Sequence, residues 1–143
     1  MQIYYRLDLI KDSGQKFTRF IPIVQNTIIS DSVFESDLAG RFLTQDLKNR
    51  INLKYQHLFL DNYIPKILKE KFVCVAQDYK NLEKKVIYQN QFMSRFIELP
   101  DKNKICLNEE IFEVAESMFS PDLFGFDHSP LPVILAKALK VFS

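Results

Sequence analysis

The chain has 143 residues, 47% of them apolar and 26% charged, with a formal net charge of +1 at pH 7. That is one domain's worth, long enough to bury a real core, and so even a charge balance excludes the electrostatic footprint of a nucleic-acid or anionic-membrane binder. No apolar run approaches the roughly 20 residues of a bilayer span, and Met1-Gln2-Ile3-Tyr4-Tyr5-Arg6 has neither the charged start nor the apolar core of a signal peptide.

In chain order, Ile3 to Ile10 alternates loosely and reads as a strand, ending at the turn former Lys11-Asp12-Ser13-Gly14. Phe17 to Val24 is a second strand, which makes the pair a hairpin, with Pro22 near its end. Thr27 to Ile29 and Ser32 to Glu35 are short extended pieces around a turn at Ser30-Asp31. From Leu38 to about Leu53, Leu38, Phe42, Leu43, Leu47 and Ile51 recur every three or four residues and share one helix face. Ser36 and Asp37 are its expected caps. Gly40, inside the first turn, implies close approach of another element or a ligand, close packing being favoured from spacing alone.

A polar and aromatic connector, Lys54 to Leu60, leads to a second helix capped by Asp61, with Pro65 in its first turn and a buried face of Ile64, Ile67, Leu68, Phe72, Val75 and Ala76. Tyr79 to Gln91 is polar, lysine-rich and partly helical. Phe92 to Leu99 and Lys104 to Leu107 flank Pro100-Asp101-Lys102-Asn103 as a hairpin with a type I-like turn. Asn108 caps a third helix running to about Phe119. An unusually apolar loop, Ser120 to Pro130, precedes a last helix from Leu131 to Phe142. This order implies a mixed α/β (α+β) fold.

Residue types alone define no active site. His57 and His128 have no partner at metal-ligand spacing, and Cys74 and Cys106 read as free core thiols of an intracellular protein. There is no P-loop and no glycine-rich dinucleotide fingerprint. Asp12-Ser13-Gly14 could offer amides to a phosphate or a carboxylate to a metal-bound water, but an ordinary hairpin turn is the favoured reading. Lys69-Glu70-Lys71 is likewise read first as a charged helical face.

Together and in this order, the motifs resemble the actin and actin-related protein family. Asp12-Ser13-Gly14 with Thr18 and Pro22-Ile23 is similar to its second phosphate-binding hairpin. Asp37-Leu38-Ala39-Gly40-Arg41 with Leu43-Thr44 and Leu47 matches a long family signature, and Lys69-Glu70-Lys71-Phe72-Val73-Cys74-Val75-Ala76 with Asp78 matches the next helix. Glu98-Leu99-Pro100-Asp101, Ile105, Glu110-Ile111-Phe112, Glu116, Phe119, Pro121 and Gly125 match the hairpin, helix and loop that follow.

The resemblance implies a partial actin-like (ribonuclease H-like) ATPase fold: residues 1–143 as one truncated domain, 1–36 and 108–143 from the larger lobe and 37–107 from the smaller. It implies that the first phosphate loop and the loop completing the adenosine pocket lie outside the chain. It places Asp12 and Gly14 at the phosphate and metal side, and Gly40, Lys69 and Glu70 around the nucleoside. Gln15 and Lys16 stand where the family has an aspartate and a glycine. One loses a carboxylate that orders metal-bound waters, the other the glycine that lets backbone approach phosphate. With ATP gripped from one side only, autonomous hydrolysis is not expected, since it depends on a water positioned against a Mg-bound γ-phosphate.

The resemblance also places Leu123, Phe124 and Phe126 on a surface loop that contacts other subunits; they form an interaction patch or tuck back against the third helix. The expected function is a non-catalytic structural or scaffolding subunit of a larger assembly, with no cofactor, no metal, no nucleic acid and no membrane insertion. Its setting would be cytoplasmic and cytoskeletal, with cilium or nucleus as other settings. The alternative is one half of a split ATP-binding protein, holding ATP or ADP with Mg when a partner chain completes the cleft. A truncated product with no independent role is a third reading.

Overall fold

The computed structural model describes residues 6–58, 60–89 and 94–142. The expected strand residues Ile3 to Tyr5, and Phe92 and Met93 of the later hairpin, lie outside them, as does Gln91. The fold is mixed, and the chain divides into two compact units, Met1–Phe42 with Met118–Ser143 and Leu43–Ser117.

The first unit is built on a four-stranded antiparallel sheet: β1 (Leu7–Ser13), β2 (Thr18–Val24), β3 (Thr27–Ile28) and β4 (Phe34–Ser36). β2 is central, with β1 along one edge and β3 and β4 sharing the other. The β2–β3 turn is tighter than the sequence suggests. Gln25 and Asn26 both have positive φ (49° and 63°), the two-residue geometry whose twist matches its strands. Side-chain alternation sends Thr18, Phe20 and Pro22 to one face. There Phe20 packs with Leu38, Leu131, Ile134 and Ala138, three of them on the helix that closes the chain. That helix spans Leu131–Leu139 and ends in a 3-10 turn, Lys140–Phe142, rather than running as one helix to Phe142.

The second unit is helical around a small hairpin. α1 (Gly40–Lys54) starts two residues later than expected, and Leu38 and Ala39 are buried in the approach to it. α2 (Tyr63–Phe72) is capped as expected, Asp61 accepting from the amides of Tyr63 and Ile64 at 2.9 and 3.2 Å. It stops at Phe72, so Val75 and Ala76 are not on its buried face; Val75 is exposed. α3 (Tyr79–Gln89) is a full helix, and β5 (Arg95–Glu98) pairs with β6 (Lys104–Leu107). α4 (Glu110–Glu116) is shorter than expected and is not capped by the Asn108 side chain, which accepts from Cys106 Sγ. The Glu110 carboxylate instead takes the Asn108 amide at 2.6 Å. The closing helix Leu131–Leu139 is α5. Leu47 and Ile51, Leu68, Ile105 and Leu107, Ile111 and Val114 form the core of this unit. The cysteines are free, but Cys74 is exposed and Cys106 half-buried, so neither is the core thiol expected. Cys74 follows the end of α2, where the helical burial pattern no longer applies.

Candidate functional site

The β1–β2 turn and the start of α1 form one piece of architecture. Gly14 N donates to Phe17 O at 2.9 Å and closes the turn, and Ser13 and Thr18 hydroxyls meet at 2.9 Å. Buried Thr18 then donates to the Leu38 carbonyl at 2.8 Å. A helix start leaves free amides. Here Gly40 N donates to Gly14 O at 3.1 Å and Arg41 N to Gln15 O at 2.7 Å. The capping role given to Ser36 and Asp37 is therefore taken by hairpin carbonyls. Ser36 Oγ accepts from Leu38 N at 3.2 Å, and Asp37 pairs with His128 at 3.1 Å.

This docking explains Gly40. A Cβ there would lie 2.6 Å from Gln15 Oε1 and 3.4 Å from Gln15 Cα and Gly14 O. The element approaching the backbone is the chain's own hairpin. Asp12 is exposed opposite Arg19, and the Lys16 ammonium rests 4.8 Å above the Phe17 ring.

Asp12, Gly14 and Gly40 belong to the first compact unit, Lys69 and Glu70 to the second. Gly14 and Gly40 are bonded through their backbones; Asp12 is two residues away on the strand. On α2, Lys69 is half-buried, and burial holds its ammonium below the ordinary lysine value against the opposing charge of Glu70. Glu70 is exposed. Among the described residues, no group of three or more His, Cys, Asp or Glu could hold a metal ion.

The loop residues are divided by their environments. Pro121–Phe124 is a 3-10 turn closed by Gly125 in the left-handed region, φ 76°. Leu123 is 59% exposed, Phe124 half-buried, and Phe126 turns inward to meet Phe42 edge-on at 4.9 Å between ring centroids. It tucks against Phe42 in the first turn of α1. The His128 ring meets Phe42 from another side at 5.4 Å.

The most concentrated polar chemistry lies where the sequence reading placed none. Asp46, Arg50 and Lys54 stand at successive i, i+4 positions of α1 and face α4. Arg50 Nε donates to Asp46 Oδ1 at 2.9 Å and its Nη1 to Glu113 Oε2. Lys54 Nζ donates to Glu110 Oε1 at 2.9 Å and to the Cys106 carbonyl at 3.1 Å. Burial raises the Asp46 carboxyl above the usual carboxylate range, outweighing the Arg50 charge, and it raises Glu113 as well. Tyr79 is pushed up to about 12, by burial first and then by Glu113 and Glu83. Burial pulls the Lys54 ammonium down, but Glu110, through its hydrogen bond and its charge, raises it overall. The i, i+4 spacing of Asp46 and Arg50 was visible in the sequence; that Glu110 and Glu113 would face them was not.

A mixed chain with a hairpin turn docked on a glycine-started helix is consistent with a partial actin-like fold. The family model for actin matches residues 6–138. The chain belongs to the actin family. It is 24% identical over 135 residues to the actin-like protein of Neurospora crassa, covering 92% of this chain and 36% of that one. It is 25% identical over 134 residues to centractin of Schizosaccharomyces pombe, covering 92% and 35%, and 29% identical over 118 residues to actin-related protein 2 of Saccharomyces cerevisiae, covering 80% and 30%. The chain thus spans about a third of the length of these curated relatives.

Proposed function

We propose that this chain is a non-catalytic, actin-like structural subunit that docks into a larger protein assembly without a bound nucleotide. The observation that carries the reading is the start of α1. A helix N-terminus is a ready anion site because its amides are free. Here the Gly40 and Arg41 amides are bonded to Gly14 and Gln15 carbonyls, and Gln15 Oε1 fills the space beside Gly40. On this reading Asp12, Gly14, Gly40, Lys69 and Glu70 are inherited scaffold, residues 37–107 correspond to the smaller lobe, and residues 1–36 with 108–143 to part of the larger one. Exposed Leu123, with Phe124 and Phe126 behind it, is the docking patch. The partners are other protein subunits, and the setting is cytoskeletal and cytoplasmic, with cilium or nucleus as other settings. Among the described residues no helix is long and apolar enough to cross a membrane.

Retention of Asp12, Gly14, Gly40, Lys69 and Glu70 favours the second reading, a split ATP-binding protein completed by a partner chain, with ATP or ADP and Mg between them. Purification from the native source, with mass spectrometry of proteins and of bound small molecules, separates the two. A stoichiometric complex without ATP or ADP is the expected result. Nucleotide together with a partner bearing a glycine-rich phosphate loop would replace the structural reading with the split one.

A further inference from the structure

Two Ser-Pro steps bound the loop after α4, Ser120-Pro121 and Ser129-Pro130, and the fold treats them differently. Pro121 is buried and Ser120 half-buried at the start of the 3-10 turn, the Ser120 carbonyl accepting from Leu123 N at 3.2 Å. Ser129 is exposed. It lies between that turn and α5, where among the described residues no backbone hydrogen bond ties Asp127, His128 or Ser129. A proline holds the residue before it extended, and Pro130 itself has polyproline-like angles, φ −55° and ψ 141°. An exposed hydroxyl on an extended, loosely tied segment with proline next in the chain is the form in which a proline-directed kinase takes a serine.

We infer that Ser129 is a phosphorylation site for a proline-directed serine kinase, and that Lys137 of α5 holds the resulting phosphate. In the transfer, Ser129 Oγ bonds to the γ-phosphorus of the kinase's Mg-bound ATP and the bond from that phosphorus to the β–γ bridging oxygen breaks. ADP leaves, and the hydroxyl proton passes to the kinase's catalytic carboxylate. Ser129 and Lys137 line one open recess of about 340 Å³ with Asp127, His128, Asp37 and Glu35. Glu35 is already paired with Arg19, and Asp37 with His128. Lys137 has no ion pair among the described residues, and helix side chains lean toward the N-terminus, here toward Ser129. A phosphoserine brings about −1.5 to −2 charges at pH 7 and three acceptor oxygens, so it outcompetes the single charge of Asp127 for that ammonium. The positive end of the α5 dipole favours it further.

The inference is independent of the subunit reading. Its test is the full chain taken from native cells lysed with phosphatase inhibitors, with phosphosites mapped by mass spectrometry, beside the purified full chain treated with a proline-directed kinase and Mg-ATP. Phosphate on Ser129 and none on Ser120 is expected in both. Ser129→Ala should abolish the labelling and leave the melting temperature unchanged. A native chain unmodified at Ser129, or one labelled at Ser120 instead, overturns the site. Phosphorus NMR of the phosphorylated chain reads the pairing. The second ionisation of a free phosphoserine falls at about 6; beside Lys137 it should fall at about 5.5 or lower, and Lys137→Ala should return it toward 6 with labelling intact. A midpoint above about 6, the direction in which Asp127, Asp37 and Glu35 push, or one that Lys137→Ala does not move, overturns the role of Lys137.

Discussion

Gly40 and Gln15 show how one contact settles a residue's identity. The atom nearest a Cβ at position 40 is the tip of a flexible, exposed side chain, and alanine is the better helix former. Gly40→Ala is therefore expected to change stability by less than about 1 kcal/mol, Gln15 swinging aside, while Gly40→Val destabilises by more because its branch meets the 3.4 Å backbone neighbours. Urea unfolding measures both. Asp46 is a different case, 5% exposed, with Oδ2 finding no hydrogen bond of good geometry and the Ser117 hydroxyl committed to the Val114 carbonyl at 2.7 Å. Its folded pKa is raised, so its contribution to stability is fully present below the ordinary carboxylate value of 3.8 and is lost as pH rises through the folded value. Glu113 adds a slope of the same sign. Asp46→Asn should flatten the decline in stability on the neutral side of pH 4, seen in unfolding midpoints across that range; an unchanged slope would mean that burial does not raise the Asp46 carboxyl.

At the scale of elements, α1 and α4 are joined by charge as well as by Leu47, Ile51, Ile111 and Val114. Arg50 serves two carboxylates at once, and removing it would leave both partly buried without their cation. Arg50→Ala is expected to cost about 3 kcal/mol. Arg50→Met, together with Asp46→Asn and Glu113→Gln, should recover much of that loss, because the penalty is one of unpaired charge rather than of packing. The β6 edge is protected in a related way. The Cys106 amide donates to Tyr55 Oη at 2.7 Å and its carbonyl accepts from Lys54, so an edge that could pair with another strand is occupied by α1 and the residue after it.

For the whole molecule, the question is which apolar groups hold the fold and which await a partner. Leu123 and Phe126 separate the two on a single loop. Leu123→Ser should leave stability within about 0.5 kcal/mol of the parent chain, since the side chain is mostly in water, yet reduce co-purification of the assembly. Phe126→Ala should cost about 2 kcal/mol by removing its edge-on contact with Phe42, and its effect on assembly should follow that loss of stability. Melting curves beside recovery of partners decide it; a strong stability loss in Leu123→Ser would mean that the loop packs where it is described as exposed.

Local patterns carried much of this protein. Helical spacing from Leu38 to Ile51, the Asp61 cap and the Pro100 to Asn103 turn depend on neighbours a few residues away, and each formed near where its pattern lay; the first turn did not, because Lys11, Asp12 and Ser13 extend β1 against β2 and the chain reverses at Gly14 to Phe17. The ordered motifs were likewise enough to place the chain in the actin family. Tertiary contacts decided the rest, because they join residues far apart in sequence. No spacing rule pairs Asp37 with His128, sets Arg50 between Asp46 and Glu113, ends α2 at Phe72, or gives the first amides of α1 to the carbonyls of Gly14 and Gln15. Each depends on which surfaces meet when the apolar faces are buried.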